Sequence, residues 1–237
     1  SIERVVVRGD IRGGASQGAG RIYADGDMGV VRVGGDLIGG VSNNGSIVGK
    51  KNVERLIIGG SLIASSGPGT GSVNGDGDLG FARIGGSLVG ASGVNANAGG
   101  SLLVGGSLVQ AEIGGSVLGG GFYCGSIVVG GNLGPLVIKG NVIGGDDAYG
   151  GSIKIDDNTS SIRIGGYIQG GSADSTGSIF AGGDLGPVTV GGNVRGGSST
   201  LTGAISSDRN VSGVTIGGSL QGGSGANSAN IIALQDM

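Results

Sequence analysis

The chain has 237 residues, of which 62 are Gly and only 3 Pro, and its 14 Lys+Arg against 17 Asp+Glu leave a net charge of −3. Glycine does not fall at every third position, which excludes collagen, and the regularly placed Val, Ile and Leu exclude a disordered Gly/Ser linker. Dispersed basic residues argue against nucleic acid as a partner, no apolar run approaches the ~20 residues of a membrane span, and the absence of His removes any imidazole-based triad.

Taken in chain order, apolar residues alternate at Val5 and Val7, a Gly9-Asp10 corner follows, and Ile11 closes the phrase. A second run opens at Ile22 and ends in the corner Gly26-Asp27. Period two over so few residues predicts short strands rather than helices. The first phrase then recurs, its second apolar position falling at Val7, Val33, Ile58, Ile84, Ile113, Ile138, Ile164, Val190 and Ile216. The steps are 26, 25, 26, 29, 25, 26, 26 and 26 residues. Nine units therefore fill residues 1–237 as one repeat domain.

Five residues after the apolar residue that opens each run stands Asn, Asp or Ser. The first series is Asp10, Asp36, Ser61, Ser87, Ser116, Asn141, Tyr167, Asn193 and Ser219, with Tyr167 its one departure. The second is Asp27, Asn52, Asp78, Ser107, Asn132, Asn158, Asp184, Asn210 and Asp236. Stacked about 4.8 Å apart, such side chains form hydrogen-bonded ladders at the bends of a coil. The Gly-Gly pairs before them are expected to supply positive φ for a sharp corner. Between the ladders, aliphatic columns run from Val5, from Ile11 and from Ile22 through every unit, so the core is continuous and each rung depends on its neighbours. Loops leave mainly from one bend, at 40–45, 91–100, 119–125, 145–151, 171–177 and 197–203, and the 29-residue step is absorbed at 91–100.

The predicted fold is all-β: a three-sided, right-handed parallel β-helix (β-solenoid) of about nine ~26-residue rungs, roughly 43 Å long at ~4.8 Å per rung. Units such as Gly182-Gly183-Asp184-Leu185-Gly186-Pro187-Val188-Thr189-Val190-Gly191-Gly192-Asn193-Val194 resemble the repeats of very large secreted bacterial surface proteins. These are similar in architecture to adhesin and autotransporter-passenger β-helices and are grouped with the pectin-lyase-like fold. The resemblance implies an extracellular location and a stalk, adhesion or surface-layer role. The chain opens on a strand pattern at Ser1 with no signal peptide, as expected of a mature or excised fragment.

Site chemistry is sparse. Carboxylate pairs occur at Asp25/Asp27, Asp76/Asp78, Asp146/Asp147 and Asp156/Asp157, the minimum for a polysaccharide lyase or hydrolase on such a scaffold. Asp25-Gly26-Asp27 and Asp76-Gly77-Asp78 share a column whose oxygens could hold Ca²⁺, the alternative of a Ca²⁺-stabilised binding module, although Lys50 and Lys51 stand between them and ordinary corner turns explain the same residues. Arg8-Gly9-Asp10 spells an adhesion tripeptide, but its Gly and Asp belong to the ordinary corner. Cys124 reads as a small buried or turn residue, the alternative being an intermolecular cross-link or a reactive thiol. One feature exceeds what folding requires: the outward position after the first ladder reads Arg12, Ile38, Ile63, Val89, Leu118, Ile143, Gln169, Arg195, Gln221. Five consecutive aliphatic rungs, Ile38 to Ile143, make an interaction stripe that is either open to a partner or covered by loops. The expectation is a non-catalytic structural or adhesive segment that associates with protein or with itself, end to end or through the stripe.

Overall fold

The computed structural model describes residues 1–41, 43–93 and 97–234. The first rung sets the pattern, with strands β1 (Ile2–Val7), β2 (Ile11–Arg12) and β3 (Arg21–Ala24). Each later rung repeats the trio, and equivalent strands pair in parallel to build three nine-stranded sheets. Register follows the sequence period, Val5 pairing with Val31, Ile11 with Leu37 and Ile22 with Ile47. Runs of two or three residues are too short for isolated hairpins, but here each internal strand pairs with a rung on both sides.

The expected aliphatic columns line the interior, where Leu37, Leu56, Leu88, Ile113, Ile138 and Ile179 are wholly buried. A further column lies at the start of the first sheet, through Met28, Val53, Leu79, Leu108, Leu133 and Leu185. In the first four rungs it belongs to a six-residue strand. From Leu108 onward it pairs only as isolated bridges beside a three-residue strand. Gly134-Pro135 and Gly186-Pro187 stand in the gap in two of these rungs, where proline lacks the N–H that would extend the ladder.

Thr159 occupies this column, is 6 % exposed, and its Oγ1 has no hydrogen-bond partner. A buried hydroxyl without a partner costs about 1–3 kcal/mol, and valine has the same shape. Thr159→Val is therefore expected to stabilise the rod by about 1 kcal/mol, read as a higher urea midpoint at unchanged slope. A lower midpoint would contradict this reading of the column.

The paired glycines work by a different route from the one expected. None of the first-corner pairs, such as Gly34-Gly35 or Gly85-Gly86, has positive φ. A methyl group on Gly35, Gly60, Gly86, Gly115, Gly140, Gly166 or Gly218 would instead collide with the ladder side chain of the rung below. Gly192 is the internal control. Beneath it stands Tyr167, whose nearest atom to such a methyl would be its Cβ at 3.2 Å. Glycine here makes room for an oxygen. Positive φ is found instead where the loops re-enter the third sheet, at Gly20, Gly45, Gly71, Gly100, Gly125, Gly151, Gly177 and Gly203.

Candidate binding surfaces

The ladders form, with a geometry the sequence did not disclose. In the first, Asp10 Oδ1 accepts the Asp36 N–H at 2.8 Å, Asp36 Oδ1 the Ser61 N–H at 2.7 Å, and Ser61 Oγ the Ser87 N–H at 3.0 Å. The series continues through Ser116 and Asn141 to the Tyr167 N–H, and resumes where Asn193 Oδ1 accepts from Ser219. Tyr167 offers no acceptor there, so the series breaks at Asn193. The second ladder runs without interruption from Asp27 through Asn52, Asp78, Ser107, Asn132, Asn158 and Asp184 to Asn210. Asp236 lies outside the described residues.

The expected side-chain stacks give way to bonds from side-chain oxygen to backbone N–H. Among the described residues direct amide donation appears only at Asn158 to Asn132 (3.1 Å) and Asn210 to Asp184 (2.9 Å). Consecutive carboxylates are therefore compatible in a ladder, because each one described faces an N–H rather than another carboxylate. Asp10 and Asp36 tolerate adjacency for that reason, and Arg12 bridges to Asp10 at 2.6 Å.

The Asp36 N–H, and then Arg12, hold the Asp10 carboxyl below its ordinary value of 3.8. The Ser199 hydroxyl, and then the Thr200 N–H, do the same for Asp174. A folded pKa below the unfolded one gives stability that is present above the unfolded value and lost as pH falls through the folded one. Melting temperature is thus expected to hold near neutrality and to fall below about pH 4. Asp10→Asn with Asp174→Asn keeps the acceptors and should flatten that fall; an equally steep decline would assign acid sensitivity to other groups.

Ile38, Ile63, Val89, Leu118 and Ile143 stack in register on the second sheet, each half-buried. Arg12, Arg195 and Gln221 at the ends of the series are exposed. The stripe is thus a continuous, partly sheltered apolar band.

A second surface escaped sequence reading. The outward residues of the third sheet include Val48, Leu103, Val128 and Phe180, all half-buried. Beside them the loops carry Phe122, Tyr123 and Tyr149, so that with Phe180 and with Tyr23, which pairs with Val48, five of the seven aromatics (3 Phe, 4 Tyr) lie on one face. Tyr123 and Tyr149 stack with centroids 4.7 Å apart and planes 5° apart, and Phe122 meets Tyr123 edge-on at 4.6 Å. Both tyrosines hold positive φ, 53° and 60°, a conformation bulky residues seldom adopt. Burial, before any charge effect, raises the Tyr123 hydroxyl above its usual range. A hollow of about 280 Å³ opens beside Tyr149 and is walled by Lys154, Phe180, Leu201 and Ser206. The signal was available: the middle residue of Leu102-Leu103-Val104 or Ile127-Val128-Val129 is apolar where alternation calls for a polar one.

Asp25 accepts a hydrogen bond from the Tyr23 hydroxyl, while Lys50 Nζ sits 2.9 Å from Asp76. Lys154 pairs with Asp156. Among the described residues no three His, Cys, Asp or Glu side chains converge. Arg8 and Asp10 of the tripeptide belong to the first corner, where Asp10 serves the ladder. Cys124 is fully buried, and burial pushes its thiol above the ordinary range. It stands in the loop column that holds Thr70, Thr176 and Thr202, whose hydroxyls accept from Ser65, Gly171 and Gly197 N–H. Among the described residues no helix is long and apolar enough to cross a membrane. Compared with protein-family models, curated proteins and solved structures, the chain matches none.

Proposed function

We propose that this chain is a non-catalytic rod: a structural or adhesive β-solenoid segment of an extracellular bacterial surface protein. The observation that carries the reading is the use to which the polar side chains are put. Asp27, Asp36, Asp78 and Asp184, which could have supplied acid or base, accept backbone N–H groups from the rung above. A carboxylate held that way stabilises a wall and is poorly placed to move a proton. The apolar face around Tyr123, Tyr149 and Phe180 supplies the adhesive surface in this reading, because aromatic rings offer large contact area at small conformational cost.

The secreted location rests on the repeat resemblance, and surface labelling of intact source cells tests it. Incubation with a panel of acidic and neutral polysaccharides tests the non-catalytic reading. No new reducing ends and no unsaturated products are expected, and sustained release of either would replace the rod with a lyase or hydrolase. Stability is proposed to be independent of Ca²⁺, since the Lys50 ammonium neutralises Asp76 within the acidic column. Melting curves with excess Ca²⁺ and with chelator should superimpose; a chelator-sensitive midpoint would restore the Ca²⁺-stabilised module.

A further inference from the structure

The hollow beside Tyr149 is a gap in a column that runs along the loops. Where each loop turns back toward the third sheet, one residue per rung holds positive φ. In early rungs it is Gly18, Asn43 or Gly69, residue types that suit a left-handed backbone. In the fifth to eighth rungs it is Tyr123, Tyr149, Ser175 and Leu201, at φ 53°, 60°, 55° and 56°. Bulky side chains are therefore held there against backbone preference, and none of these three belongs to the buried core.

The spacing of the column makes a slot. Tyr123 covers one face of the Tyr149 ring, 4.7 Å away and nearly parallel, so the stack advances by one ring per rung. The next ring is missing, because Ser175 takes that place and Leu201 stands beyond it. The hollow of about 280 Å³ lies on this side of Tyr149, with Ser175 in the gap and Phe180 and Leu201 as walls. Tyr149 and Leu201 are two rungs apart, about 9.6 Å, which admits one six-membered ring at about 4 Å from each.

Polar groups in the lining select the kind of ring. The hydroxyls of Ser152, Ser178 and Ser206 donate to Tyr149 O, Ser175 O and Ile179 O, so their oxygens have only lone pairs left to offer. A ring carrying hydroxyl donors answers those acceptors, whereas an aromatic hydrocarbon ring leaves them without partners. Lys154 also lines the hollow, but Asp156 pairs with it, so an acidic ring gains no unmatched positive charge. A pyranose meets both demands, with an apolar C–H face for Tyr149 and hydroxyls at its rim.

We propose that this hollow binds one neutral pyranose unit of a polysaccharide, stacked on Tyr149 with its hydroxyls toward the serine oxygens. The proposal rests on the adhesive reading of the aromatic face and names its ligand.

The test is saturation-transfer NMR and titration calorimetry of the 237-residue chain with cellohexaose, laminarihexaose, mannohexaose and chitohexaose. A site for a single ring tolerates changes of linkage, so this panel samples the ring itself. Binding is expected with a dissociation constant on the order of 1 mM. Ser175→Tyr continues the stack into the hollow and should weaken binding by roughly tenfold or more, without lowering the melting temperature. Tyr149→Asn removes the ring and should weaken binding equally. It keeps the loop, because Asn43 and Asn227 hold the same position at φ 47° and 52°. If one variant folds poorly, the other carries the test. Binding to none of the four sugars would overturn the proposal, as would binding that the folded variants leave unchanged. Tighter binding of hexagalacturonate would overturn it in favour of an acidic ring. Tighter binding of N-acetylphenylalaninamide would overturn it too, and would leave the face adhesive toward protein. None of these failures touches the non-catalytic rod, which falls only with a chemical product.

Discussion

Ile113→Ala in the fifth rung is expected to destabilise the rod by about 3 kcal/mol, within the roughly 2–5 kcal/mol typical of emptying a buried aliphatic site. The side chain is wholly buried and pairs in register with Ile84 below and Ile138 above, so the cavity opens against two neighbours. Stability in such an array is a sum of rung terms and nearest-neighbour contacts, and one weakened contact in the middle uncouples the two halves. The same replacement at Ile216, half-buried in the last rung, should cost less than half as much. Urea melts followed by circular dichroism give both values. A broadened or biphasic transition for Ile113→Ala, with Ile216→Ala near wild type, would display the array behaviour directly. Equal costs at the two sites would contradict the burial gradient.

Gly125→Ala should be comparably severe for a different reason. At φ +61° an L side chain costs about 1–2 kcal/mol, and its methyl would be driven into the Leu118 carbonyl oxygen of the same rung. Relieving that collision requires the loop to shift, which adds roughly 1–3 kcal/mol. An expected loss of about 2–5 kcal/mol follows from these two contributions. Ala229 occupies the equivalent place in the last described rung at φ 49°, where alanine adopts the same left-handed conformation. An Ala229→Gly change should accordingly be neutral or mildly stabilising. A Gly125→Ala chain that melts like wild type would show that the loop yields freely.

The architecture was legible because a coil writes its period into the sequence. Register comes directly from the spacing: Val33 pairs with Ile58, and Ile138 with Ile164, at the steps that separate them in the chain. Aliphatic columns and polar corner positions follow from the same count, and so does the stripe from Ile38 to Ile143. The third sheet's apolar outer face went unread because Leu103, Val128 and Phe180 each sit between inward aliphatic residues, where a run of three apolar residues lacks the polar alternation that marks an outer position. The column through Leu108 and Leu133 went unread because it lies outside any continuous strand.

What the sequence alone determined is which residues are equivalent from rung to rung, because equivalence needs only periodicity and the chemistry of each column. What the tertiary structure decided is which atom lies next to which. Whether the corner glycines bend the chain or clear a space, and whether Asp36 faces a carboxylate or an N–H, depends on how one rung is rotated and tilted upon another. Those two quantities are fixed by packing across the sheets, and no spacing along the chain encodes them.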